Sequence, residues 1–280
     1  MPRHIKAILW ILRATNININ FTILLSLCFI FGCSTNSKSI SNDDKTSQVI
    51  YYTTYDGSIM YPSKCDFNAD IISNTYTNGI GIIRFNGSIN YVGANAFKGC
   101  TRLTSITIPE GVVSIGRSAF RECCNLTEII LPNSVIDIGT TAFYECSKLT
   151  NITIPNGVTY INPQTFSYCS SLTNVNLPDS LVAIGYHSFN VCNSLETITL
   201  PKNVKIIDVG AFACCDKLSI INLPDGITSI GEHAFSSCDM LHNIYLPDSI
   251  EYIGEAAFLG CSSLKSITIP NNINEIKANT

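Results

Sequence analysis

The chain has 280 residues, a formal charge of -4, 46% hydrophobic residues and only 14% charged ones. It is too apolar for disorder and too lightly charged for a binder of phosphate backbones. The first 32 residues hold Arg3, Lys6 and Arg13 and no acid. The remainder is therefore more acidic than the whole, which argues against nucleic acid as a partner.

Those 32 residues read as an export signal. A basic start is followed by an apolar run from Phe21 to Phe31. Eleven residues are too few to span a bilayer, which takes about 20, and suit a signal-peptide core. The run ends at Gly32-Cys33, which resembles the lipobox of bacterial lipoproteins, although Phe31 stands where a smaller residue is usual. That resemblance implies removal of residues 1–32 and lipidation of Cys33. Ser34 after the cysteine fits delivery to the outer membrane. Asp43-Asp44 is similar to the surface-export signals of Bacteroides-type lipoproteins, though further from the cysteine. Residues 33–48 are rich in Ser and Asn and lack aromatics, as a flexible tether does.

From Ile80 onward the chain repeats itself every 23 residues without an insertion. Leu recurs from 103 to 264, Pro from 109 to 270 and Ile from 115 to 276 at that interval. Phe recurs from 97 to 258 and Cys from 100 to 261. A fixed period of this length is the signature of a solenoid, in which no unit buries its apolar side chains alone. Within one period Ile106-Thr107-Ile108 alternates as a strand does, and Pro109 ends it. Pro155-Asn156-Gly157 and Pro224-Asp225-Gly226 mark the following turn. Gly116 is expected to permit a sharp bend, with Asn162 and Asp208 in its place in two periods. Ala119, Phe120 and Cys123 are spaced for a single helical or 3₁₀ turn closing the coil. The inward set is Leu103, Ile106, Ile108, Val112, Ile115, Ala119, Phe120 and Cys123. Stacked at ~4.8 Å, nearly nine periods make a rod roughly 40 Å long.

The pattern I-P-x-x-V-x-x-I-G-x-x-A-F-x-x-C-x-x-L resembles the BspA-like leucine-rich repeats, and the likeness runs from about Ile80 to the C-terminus. It implies a leucine-rich-repeat solenoid: a right-handed coil with a parallel β-sheet on one face and short helical or 3₁₀ turns on the back, over residues 80–280. A parallel β-helix is the alternative. It also implies a cell-surface protein used in adhesion or recognition, with its ligand on the sheet. Residues 49–79 are similar to the hairpin-rich entry segment that precedes such repeats, which implies an N-terminal cap there. The outward residues of the strand form two columns. Thr107, Ile130, Thr153, Asn176, Thr199, Asn222, Tyr245 and Thr268 make the first. Ser105, Glu128, Asn151, Asn174, Thr197, Ile220, Asn243 and Ser266 make the second. The first is the candidate ligand-binding column, and Tyr245 is its strongest anchor, because aromatic residues dominate interface energetics. A polar ladder that merely keeps the sheet soluble accounts for the same residues.

The remaining features are weaker as chemistry. The periodic cysteines read as buried, reduced thiols behaving as small hydrophobes, ahead of disulfides and well ahead of metal or nucleophile roles. Cys124 and Cys214 fall outside the column, and Cys65 has no assigned place. His187 and His233 lie two periods apart on the outward side, too far for a shared zinc. No catalytic or phosphate-binding signature is present, so no catalytic residue, metal or cofactor is expected. Asp179, Asp225 and Asp248 occupy the turn after Pro, where stacked carboxylates could hold calcium but where Asp is favoured anyway. Thr280 falls one residue short of the next periodic Phe. The expectation there is a truncated coil or an end that pairs with another molecule. Three functions follow: a non-catalytic surface protein binding a protein or glycan on host or neighbouring cells, a passive structural or antigenic spacer, and a calcium-dependent carbohydrate-active β-solenoid.

Overall fold

Alternation of apolar and polar residues decides which segments become strands. In the computed structural model residues 48–63 and 66–280 are described; the signal segment, Cys33, the tether up to residue 47, and Cys65 lie outside them. Three strands open the chain: β1 (Val49–Thr54), β2 (Ile71–Thr77) and β3 (Ile80–Phe85). β2 and β3 pair antiparallel around Asn78 and Gly79, both with positive φ, the conformation that a two-residue hairpin turn demands. After them the coils up to Asn222 each supply a short strand and a longer one, beginning with β4 (Tyr91–Val92), β5 (Leu103–Thr107) and β6 (Ser114–Ile115).

Neighbouring coils pair in parallel with a register of one period. Ser105 faces Glu128, Asn151 faces Asn174, and Thr197 faces Ile220. The short strands do the same, Ser114 against Asp137 and Ile161 against Ile184. All eight inward residues of the coil from Leu103 to Cys123 are buried. In every coil the N–H three residues after Pro closes a turn onto the Pro carbonyl, as Val158 does on Pro155 at 3.0 Å. The architecture is thus the stacked, parallel-strand solenoid that the period predicts.

The back of the coil differs from the expected helical turn. No helix occurs among the described residues. The N–H groups of Ala119, Arg121 and Cys123 bond within their own turns, to Gly116, Ser118 and Phe120. Those of Ser118, Phe120 and Glu122 reach instead to the carbonyls of Thr140, Ala142 and Tyr144 in the next coil. Ser118 and Glu122 have φ of 56° and 62°, and the same two places are left-handed in the following coils. A 3₁₀ turn would direct every N–H inside the coil. The left-handed residues turn alternate ones outward and so add a back-side ladder between coils.

Two apolar columns fill the interior. The Phe rings from Phe97 to Phe258 stack with centroids 5.0–5.6 Å apart and planes within 14° of parallel. Beside them each ladder thiol from Cys123 to Cys261 donates to the Phe carbonyl one coil back, Cys123 Sγ to Phe97 at 3.1 Å and Cys169 Sγ to Phe143 at 3.2 Å. The ten described cysteines are all free.

The glycine column also differs from its expected role. Gly116, Gly139, Gly231 and Gly254 do not have positive φ. A Cβ at Gly116 would lie 2.6 Å from the backbone of Gly93 and Ala94, and one at Gly254 would lie 2.3 Å from the amide of Glu232. Close backbone approach between coils, not a bend, demands glycine there.

At the N-terminal end β1 is wedged into the repeat. The period aligns β3 with β5, yet β1 lies between them, antiparallel to both. The same two coils remain in direct contact at the short strands, where Tyr91 faces Ser114, and at the Phe97–Phe120 stack. Tyr52 fixes the wedge. It is buried, its hydroxyl donates to Asn74 Oδ1 at 2.8 Å, and its ring occupies the space above Gly81. At the other end Leu264, Ile267, Ile269 and Ile273 are only partly buried, and Ile276 is 63% exposed.

Candidate recognition face

Strand pleating sends alternate side chains of each long strand outward. Ser105 and Thr107 point away from the core beside the Leu103–Ile106–Ile108 set, and the same holds in each later coil. Thr107 and Ile130 are half-buried. Thr153, Asn176, Thr199 and Asn222 are exposed on consecutive long strands. Tyr245 and Thr268 continue the column beyond the last long strand, joined to it through a single bridge between Ile220 and Asn243. Tyr245 is 69% exposed and Ile220, diagonal to it in the second column, 56%. Neither column contains Lys or Arg.

β1 extends this surface. Tyr51 lies beside both Thr107 and Ile82, and Thr53 beside Ser105, with its hydroxyl 2.7 Å from that of Ser105. The N-terminal part of the face is therefore apolar and half-buried, through Tyr51, Ile82 and Ile130.

The long-strand ladder is not continuous. Strand 103–107 pairs with 128–130, 151–153 with 174–176, and 197–199 with 220–222, as separate sheets. Between the strands Asn174–Asn176 and Thr197–Thr199 a groove of about 250 Å³ opens, lined by those residues together with Leu177, Asp179 and Pro201. Asn176 is steadied from the other side, its amide donating to Thr153 Oγ1 at 3.2 Å. The columns were legible in the sequence, but this groove was not. Asn174, Thr197 and Asp179 carry no signal that the ladder lapses beside them.

The other chemistry-bearing residues do not converge on this face. Asp179, Asp225 and Asp248 are exposed turn residues. No group of three or more His, Cys, Asp or Glu placed to hold a metal ion occurs among the described residues. His187 is half-buried, not outward as expected, because Gly210 in the next coil leaves room for its ring. A Cβ there would lie 2.4 Å from the imidazole. Its Nδ1 is buried without a hydrogen-bond partner, and Tyr186 packs edge-on at 4.2 Å. Burial, aided by His233, pushes the His187 pKa below its ordinary value, against Asn190 and Asp208. Burial also raises the ladder thiols, Cys100 and Cys261 at the two ends to about 11. Burial first, then Asp216 and Asp239, raises Cys214.

Comparison with known proteins agrees with this geometry. The sequence profile described as the BspA type Leucine rich repeat region matches residues 71–195 and 159–280, in six copies. A leucine rich cell surface protein of Faecalibacterium prausnitzii is 34% identical, with a TM-score of 0.51. The match covers 68% of this chain and 61% of that one. A leucine-rich repeat protein of Eubacterium ventriosum is 28% identical, with a TM-score of 0.56, over 65% of this chain and 50% of that one. The chain thus spans about three fifths and one half of these two relatives. No match was found among curated proteins. With the period, the parallel stacking and the family profile all covering the same residues, the chain belongs to the BspA-type leucine-rich repeat family.

Proposed function

We propose that the protein is a non-catalytic surface protein of a bacterium that holds a macromolecule, protein or glycan, on its long-strand face. Residues 1–32 serve as the export signal, Cys33 carries the lipid that anchors the chain to the outer membrane, residues 33–48 form the tether, and residues 49–79 cap the repeats. The observation that supports this reading most is Tyr245. A large aromatic side chain, 69% exposed, stands in line with exposed amides and hydroxyls on a rigid stacked scaffold. Such a residue adds nothing to the core and is the residue type that anchors interfaces.

The test is a binding array of host matrix proteins and glycans, probed with the full chain and with Asn222→Arg, which places a long cation in the centre of the column. The unaltered chain is expected to bind at least one class of ligand, and Asn222→Arg to lose it at least tenfold. Equal binding by both would move recognition off this face, and no binding at all would favour a passive spacer. For the anchor, Cys33→Ala is expected to shift the protein from the membrane fraction to the soluble fraction; unchanged fractionation would remove the lipid.

A further inference from the structure

We infer that the groove between Asn174–Asn176 and Thr197–Thr199 seats one sugar ring of a neutral, hydroxyl-rich glycan whose chain runs along the column to Tyr245. The inference rests on the long-strand face being the recognition surface and names its ligand class.

The size of the groove, about 250 Å³, is below the range of ~300–1,000 Å³ typical of drug-sized ligands. It suits a single small ring rather than a folded partner. Its lining supplies amides from Asn174 and Asn176, hydroxyls from Thr197 and Thr199, and the Asp179 carboxylate. Amides and hydroxyls both donate and accept hydrogen bonds, and a carboxylate accepts them. Neighbouring sugar hydroxyls also both donate and accept, so this set can satisfy them in several directions. Strand edges that are unpaired with each other across the groove add main-chain donors and acceptors.

Charge narrows the class further. Neither outward column has a Lys or Arg, and Asp179 is acidic. The turn column beside them adds the exposed Lys202 but also Asp225 and Asp248 to Asp179. A sulfated or uronic-acid chain would therefore meet a net negative surface, and the glycan is neutral. Thr199, Asn222 and Tyr245 follow one another in the same column, one coil apart. The exposed Tyr245 ring presents an apolar face at the end of the row, on which the C–H face of a sugar can lie.

Spacing separates a glycan from an extended polypeptide. Coils repeat at ~4.8 Å, whereas an extended peptide advances ~3.3 Å per residue and repeats its side chains every second residue. A peptide crossing the strands falls out of step with the polar rungs within two or three coils. A pyranose unit is close to one coil in length and keeps step with them.

The test is affinity electrophoresis and calorimetry of the full chain. The probes are soluble neutral polysaccharides (a glucan, a mannan and a galactan), with heparin as polyanion and gelatin as extended polypeptide. At least one neutral polysaccharide is expected to retard the chain, with affinity rising with oligosaccharide length up to four units, the span from Asn176 to Tyr245. Heparin and gelatin are expected not to retard it. Tyr245→Ala and Thr199→Arg, both at exposed positions, are each expected to weaken binding at least tenfold without lowering the melting temperature. Failure of every neutral polysaccharide overturns the inference. Gelatin binding that is lost in both variants also overturns it while leaving the recognition face in place. Glycan binding unaffected by either variant overturns the face itself.

Discussion

A thiol at the same place in coil after coil has two partners, and packing accounts for only one of them. Cys169 is fully buried beside the Phe stack, where any small apolar side chain would fill space. It also donates to the Phe143 carbonyl, which already accepts the N–H of Cys146 in its own turn at 3.0 Å. The second bond uses the carbonyl's remaining lone pair and ties one coil to the next. Serine would donate more strongly but carries a larger desolvation cost. Burial raises the pKa of these thiols and so suppresses the thiolate, the only reactive form. Cys124 lies outside the column and is half-buried, as is Cys214. Treatment of the native chain with iodoacetamide near pH 8, read by peptide mass spectrometry, is therefore expected to label Cys124 first among the ten described thiols. Cys214 should follow more slowly, since Asp216 and Asp239 add to its burial in holding the thiolate down. Cys146, Cys169 and Cys192 should label only after unfolding. Labelling of those three at the rate of Cys124 would show that the ladder is open to solvent.

At the level of the element, the 23-residue period made the stacking, the parallel register and the two outward columns legible, because each depends only on which residues recur. It misled where a contact is made by a segment outside the period. β3 shares the spacing of the long strands, and that spacing gives no sign that β1 will lie between it and β5. The signal was present only as an exception. Gly81 stands where later coils carry Thr104, Thr127 and Thr150, and it does so because the Tyr52 ring fills the place of its side chain. The groove was hidden for a related reason, since Asn174 and Thr197 are ordinary members of a column and the lapse in pairing is a matter of backbone position. Gly81 also provides a test of the wedge. A Cβ added there would lie 2.1 Å from Tyr52 Cζ, within a ring held by Asn74 and by the Met60 amide. Gly81→Ala is expected to destabilise the chain by ~1–3 kcal/mol, the usual cost of overpacking. In chemical denaturation the midpoint should fall with little change in slope. Tyr52→Phe keeps the ring and loses the hydroxyl bonds, and should cost about 1 kcal/mol. If Gly81→Ala proved neutral, Tyr52 could not be where the wedge requires it.

For the whole molecule, stability is carried by interfaces between neighbouring coils, so the cost of a cavity depends on where along the stack it is made. Phe166 is stacked on both sides, 5.4 Å from Phe143 and 5.3 Å from Phe189, and is fully buried. Phe258 is stacked on Phe235 at 5.6 Å, and its relative exposure is 9%. Truncating a buried Phe to Ala costs about 3–5 kcal/mol through lost transfer free energy and the cavity left behind. At Phe166 that loss falls on two interfaces in the middle of the stack and uncouples the coils before it from those after it. Its neighbours Thr165 and Ser167 are buried polar residues, as are Thr141 in the coil before and Ser188 in the coil after. Phe166→Ala is therefore expected to lower the melting temperature strongly and to broaden denaturation or divide it into two steps, as the halves melt separately. Phe258→Ala weakens one outer interface and should cost less while leaving the transition of the remaining coils steep. Unfolding followed by circular dichroism across both variants distinguishes the cases. Equal losses with equally steep transitions would mean that the chain unfolds as one cooperative block in which position along the stack has no energetic meaning.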